Sequence, residues 1–187
     1  MLVMQAYKAE LLFGLTPAQA GQKVYEDLRK RLENTVLIGM PGSGKSTIGK
    51  LLSEKCGKEF IDTDEEFTKT YGITPGDCIK TEGEEAFRLK ETEVVKTVSA
   101  KTGCIIATGG GVVTRPVNIE ALKQNGIIVY LKRDIANLSS EGRPLSQGDG
   151  AIEKLFEKRS PLYEAAADRV IEVKEGLLEK TLAEITG

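Results

Sequence analysis

With 187 residues and 26 basic against 28 acidic side chains, the chain suits one domain with an appendage, and its net charge of −2 gives no broad attraction for nucleic acid or an anionic membrane. It contains no histidine, which excludes His metal ligands, Ser-His-Asp chemistry and a neutral-pH imidazole base. Three scattered cysteines, Cys56, Cys78 and Cys104, indicate reduced thiols in a cytoplasmic protein rather than a disulfide framework or zinc site, and no apolar run reaches the roughly 18–20 residues of a membrane span.

The first 33 residues stand apart from the rest of the chain. MLVMQAYKAELLFG lacks a basic start and carries Lys8 and Glu10, unlike a signal peptide. Thr16-Pro17 then offers an N-cap and a proline at the first helical position, so AQAGQKVYEDLRKRL is predicted to be helical. From Thr35 the pattern changes. TVLIG is a short apolar strand, followed by a glycine loop and by STIGKLLSEKC, whose helical spacing closes on Gly57. EFID is a second strand, EEAFRLKETEVVKTVSAK a long helix stopped by Gly103, and CIIATGGG a strand running into glycines. TRPVNIEALKQN, GIIVYL, RVIEV and GLLEKTLAEITG continue the alternation of helix and strand. Such alternation predicts an α/β fold of three layers, with a central five-stranded parallel sheet covered on both faces. Ligands of such sheets gather at the carboxyl ends of the strands, where the glycine loop, Asp62 and Asp64, and Gly109-Gly110-Gly111 all fall.

The glycine loop is the most specific element. Gly39 to Ser46 (GMPGSGKS) fits the nucleotide-binding pattern GxxxxGK[ST], in its required setting between strand and helix. Gly42, Ser43, Gly44, Lys45, Ser46 and Thr47 would bind ATP: backbone N–H groups and the helix N-terminus face the phosphates, and Lys45 reaches the outer two. Ser46 would ligate Mg2+. No asparagine is followed by lysine, so the base-reading motif of a GTPase is missing. Just downstream, DTD at 62–64 poses a problem, since two carboxylates stand beside a polyanion. On a strand, residues i and i+2 project from the same face, so both acids would look into one site with Thr63 turned away. The alternative for either acid is helix capping before EEF, with Asp64 as the candidate N-cap.

GMPGSGKST, DTD at 62–64, GEEAFR at 83–88, ATGGGVV at 107–113, GRPL at 142–145 and KRSPLYEAAAD at 158–168 together resemble the shikimate kinases in order and spacing, across about residues 35–175. The resemblance implies that Asp62 lies by Mg2+ and that Asp64 touches the acceptor hydroxyl. It also implies that Arg88 and Arg159 clamp the acceptor carboxylate, that Gly110 contacts the acceptor through its backbone, and that Phe87, which reads as a core residue, lines the acceptor pocket. The chemistry agrees: Mg2+ keeps several waters and takes few carboxylates, and a planar guanidinium suits a carboxylate. Glu91, one turn after Arg88, could hold that arginine by an i, i+3 ion pair or lie idle on the helix.

EGRPLSQGDG reads as a loop that closes over the reactants, a lid at about 134–150, in which Arg143 would balance charge on the transferred phosphoryl group. One departure stands out: the family has a longer lid with an adenine-stacking arginine, whereas DIANLSSE is short and holds none, and Arg133 does not align with that role. MLVMQAYKAELLFG resembles the C-terminal helix of shikimate dehydrogenases, so residues 1–33 read either as an ordinary amphipathic extension or as the remnant of, or link to, such a domain. The expectation is a cytoplasmic, monomeric enzyme with its kinase domain at 34–187. It would transfer the ATP γ-phosphate to the 3-hydroxyl of shikimate with Mg2+. A kinase for gluconate or a nucleoside monophosphate, and a non-catalytic nucleotide-binding module, are the competing readings.

Overall fold

Five parallel strands form the centre of a computed structural model that describes residues 17–135, 138, 151–174 and 176–186. They are β1 (Asn34–Ile38), β2 (Glu59–Asp62), β3 (Cys104–Ala107), β4 (Gly126–Lys132) and β5 (Arg169–Glu172), in the spatial order β2-β3-β1-β4-β5. The register sets Asp62 beside Ala107, Leu37 beside both Ala107 and Val129, and Lys132 beside Glu172, so all the carboxyl ends form one edge. The expected five-stranded α/β architecture is the one found.

Strand alternation divides the core between two faces. Val36, Ile38, Ile61, Ile106, Ile128 and Tyr130 point to one side, where they meet Phe67, Phe87, Leu122 and Tyr163. Leu37, Ile105, Val129, Leu131 and Ile171 point to the other and meet Ile48, Leu52, Leu182 and Ile185. The helices are taken in chain order. After α1 (Pro17–Leu32) come α2 (Lys45–Cys56), α3 (Thr63–Tyr71), α4 (Pro75–Glu82), α5 (Glu84–Ser99), α6 (Pro116–Gln124), α7 (Ala151–Ala166) and α8 (Leu178–Thr186). Thus α2 and α8 cover one face and α3, α5, α6 and α7 supply the other. Burial on both sides explains why β3 reads CIIA with every residue buried.

The chain divides into two units between Glu33 and Asn34. In the first, Arg29, Lys30 and Arg31 occupy the last turn of α1, where cations favour the helix dipole, and Arg29 pairs with Glu33 at 3.0 Å. The resemblance to a dehydrogenase helix falls outside the described residues, as do Arg143 and most of the lid. Among the described residues no helix is long and apolar enough to cross a membrane.

One buried amide locks β1 to its neighbour. Asn34, 1% exposed, donates from Nδ2 to the Lys101 carbonyl at 2.7 Å and accepts the Cys104 N–H on Oδ1 at 2.8 Å. Asn34→Ala orphans both backbone groups, at a cost of about 2 kcal/mol. A lower urea midpoint with unchanged activity per folded molecule is the expected outcome, checked by denaturant titration beside an assay.

Candidate active site

The loop after β1 is shaped by its glycines. Gly39 has φ 148, and a side chain there would meet the Leu131 carbonyl oxygen at 2.7 Å, so only glycine lets the chain leave the sheet here. Gly44, with φ 94, is the N-cap of α2 and leaves the first amides of the helix pointing out of its end. Lys45, 8% exposed, donates from Nζ to the carbonyls of Gly39 and Met40, both at 2.9 Å, and draws the loop around its own ammonium. Gly42, with φ 82, Ser43 and Thr47 lie in the same loop and first turn. The Ser43 Oγ is buried without a hydrogen-bond partner among the described residues.

The two aspartates are not in the strand alternation expected of them. β2 ends at Asp62, and Thr63 already belongs to α3, because Asp62 caps that helix by accepting the Asp64 N–H at 3.0 Å. Capping therefore belongs to Asp62 and not to Asp64, the expected candidate, and the other Asp62 oxygen accepts the Ser46 hydroxyl at 2.6 Å. Ser46 and Asp62 form an all-oxygen pair at the mouth of the phosphate loop. That donor set suits Mg2+, which takes few protein ligands and shares the rest with phosphate and water. Among the described residues no cluster of three or more carboxylates or thiols could cage a metal alone.

Asp64 instead faces the end of β3. Its Oδ1 lies 2.9 Å from where a Gly109 side chain would begin, and Glu91 Oε1 lies 3.2 Å from that point. Thr63, expected to turn away, is buried and accepts the Gly109 N–H at 3.1 Å, which fastens the aspartate turn to the glycine turn. Gly110 packs on the Pro41 ring, which a side chain would meet at 2.8 Å. Gly111 lies against the Arg88 guanidinium, which fills the space that a side chain would need. The phosphate loop, the aspartate turn and the triple glycine therefore line one edge of the sheet.

Two buried cations stand over this wall. Arg88 is 6% exposed; its Nη1 donates to Glu91 at 2.8 Å and its Nη2 to Glu84 at 3.1 Å. Burial pushes the Glu91 carboxyl up, opposed first by Arg88 and more weakly by Arg159. Arg159, on α7, is 4% exposed, and its Nε is buried with no hydrogen-bond partner among the described residues. An orphaned buried guanidinium N–H is costly unless an anion meets it. Phe87 is core, packed on Phe67 at 5.2 Å between ring centroids. Tyr163, which sequence reasoning passed over, is fully buried and donates its hydroxyl to the Gly110 carbonyl. Its position one helical turn beyond Arg159 was the available signal. Arg133 lines a separate cleft at the carboxyl ends of β4 and β5, with Lys132, Phe156 and Lys174.

Comparison with known proteins points one way. The shikimate kinase profile matches residues 41–186. A shikimate kinase from Marinomonas sp. is 42% identical over 149 residues, covering 74% of this chain and 82% of that protein. One from Acinetobacter baylyi is 35% identical over 162 residues, covering 82% and 90%. The structure of an Acinetobacter baumannii shikimate kinase in complex with shikimate superposes with a TM-score of 0.79 at 34% identity, covering 85% of this chain and 93% of that one.

Proposed function

The chain belongs to the shikimate kinase family, and on that premise we propose that Asp64, Arg88, Gly110 and Arg159 hold the acceptor while residues 42–47 hold the nucleotide. The reaction is the family's: transfer of the ATP γ-phosphate to the 3-hydroxyl of shikimate, giving shikimate 3-phosphate and ADP. What carries the residue assignment is Arg159, whose buried Nε lacks a hydrogen-bond partner among the described residues, on the helix whose Tyr163 bonds Gly110 of the glycine wall. A planar carboxylate supplies that partner, and two guanidinium groups fix its orientation.

With the carboxylate held, the acceptor hydroxyl rests at Asp64, which orients it and takes its proton late in transfer. Lys45 leaves its carbonyl partners for the β- and γ-phosphates, and the N-terminal amides of α2 receive the remaining charge. Ser46 and Asp62 would hold Mg2+, which would supply charge neutralisation for the phosphates. Arg143 keeps the role expected from sequence, balancing charge on the transferred group. The cleft beside Arg133 offers a guanidinium plane for the nucleobase, in place of the stacking arginine absent from the short lid. We place the activity in residues 34–187, working as a monomer in the cytoplasm.

An acceptor panel read by coupled ADP release tests the assignment. Mg2+-dependent turnover is expected with shikimate, with gluconate and nucleoside monophosphates giving only the acceptor-free background. Turnover with either of those and not with shikimate overturns it.

A further inference from the structure

The acceptor wall has no side chains of its own, so something else must fix the direction of its peptide groups. Gly109 and Gly111 are accounted for locally. The Gly109 carbonyl accepts the Val112 N–H at 3.2 Å, and the Gly111 carbonyl accepts the Thr114 N–H at 3.0 Å and its hydroxyl at 2.7 Å, all within the 3-10 turn at Val112–Thr114. Among the described residues the carbonyl between them, that of Gly110, is taken by one group from far along the chain, the Tyr163 hydroxyl.

That hydroxyl is itself rigidly placed. The Tyr163 ring is fully buried and stacks on Tyr130, with ring centroids 5.0 Å apart and an interplanar angle of 25°. Arg159 stands one turn earlier on the same helix, i to i+4, which places it on the same side as the ring. A peptide is planar and trans, so holding the Gly110 carbonyl on the Tyr163 side turns the Gly111 N–H to the opposite side. Glycine offers no steric barrier to the flipped plane, and the hydroxyl bond is what selects one orientation. Behind Gly110, the Pro41 ring blocks retreat of the loop.

We propose that Tyr163 is a positioning residue for the acceptor: its hydroxyl fixes the Gly110–Gly111 peptide plane, and with it the backbone donors of the wall, relative to the helix that carries Arg159. The inference rests on the assignment of the acceptor to Arg88, Arg159 and this wall. It assigns Tyr163 no contact with the reacting atoms.

Tyr163→Phe keeps the ring and its stacking and removes only the hydroxyl. The expected result is an increase of about tenfold in KM for shikimate, the loss of one well-placed hydrogen bond, with kcat and KM for ATP each within about twofold of the parent. Arg159→Lys, measured alongside, is expected to raise KM for shikimate by at least as much. If Arg159→Lys raises it and Tyr163→Phe does not, the acceptor assignment stands and the role of Tyr163 is overturned. If both KM values of Tyr163→Phe rise in parallel with a fall in its unfolding midpoint, the tyrosine only supports the fold and the proposal fails. If neither variant changes KM for shikimate, the acceptor assignment falls and takes the proposal with it. Amide exchange in the unaltered enzyme removes dependence on the folding of the variant. Shikimate alone should slow exchange at Gly110 and Gly111, and unchanged exchange at both overturns the proposal.

Discussion

Asp64→Asn is expected to lower kcat about a thousandfold while leaving the affinity for ATP within about twofold, a loss within the range for removal of a positioned proton acceptor. The substitution keeps the size and the hydrogen-bonding edge of the side chain and removes its charge and basicity. Asp62, and not Asp64, caps α3 with its side chain and bonds Ser46, so the helix start and the phosphate loop remain intact. Single-turnover phosphoryl transfer measured with saturating substrates isolates the chemical step, and nucleotide affinity is read separately by titration. Retained turnover removes Asp64 from the mechanism. Lost nucleotide affinity relocates its effect to the loop.

Arg88→Ala is expected to be damaging twice over. Glu91 is 4% exposed and depends on Arg88 for its close ion pair, so removing the guanidinium strands a buried carboxylate at a cost of about 3–5 kcal/mol. The Glu84 partner is 53% exposed and adds little. Folding stability should fall by that order, and KM for shikimate should rise on the order of a hundredfold with the loss of a charged, bidentate clamp. The two effects separate with pH. The folded carboxyl of Glu91 already titrates above its ordinary value because burial outweighs the pull of Arg88, and without that pull it rises further. A carboxyl raised in the folded state favours folding while it is protonated, and that contribution is lost as pH climbs from the unfolded value through the folded one. The stability deficit of Arg88→Ala should therefore be largest near neutral pH and shrink on acidification toward the ordinary carboxyl range. Urea midpoints at a series of pH values check the sign, and a deficit that grows on acidification contradicts the account.

Some features were legible in residue order and others required the fold. The phosphate loop was legible because its chemistry is local: glycine positions, one lysine and one serine between a strand and a helix. Gly39 and Gly44 have the positive φ values that such a turn demands. The aspartate pair was misread in geometry, since strand periodicity was carried one residue past Asp62, where a carboxylate capping the next amide had already opened a helix. α4 goes unread in the sequence although its start carries a signal, Thr74 before Pro75, where Thr74 accepts the Asp77 N–H at 3.1 Å. α7 was hidden by Pro161, a residue that ordinarily argues against a helix interior, and with α7 went the register that puts Tyr163 one turn after Arg159. The contact between Tyr163 and Gly110 spans 53 positions, and no periodicity encodes a pairing that the sheet order alone brings about.

The glycine wall also bears on mutational escape. A methyl group at position 109 meets Asp64, at 110 it meets the Pro41 ring, and at 111 it meets the Arg88 guanidinium. A substitution at any of the three therefore has to displace a residue assigned to the site or to the loop beside it. An inhibitor gripping this surface through main-chain amides binds something that substitution cannot redraw without disabling the enzyme. One anchored on the cleft beside Arg133 depends on side chains that can be exchanged singly, and resistance should arise there first.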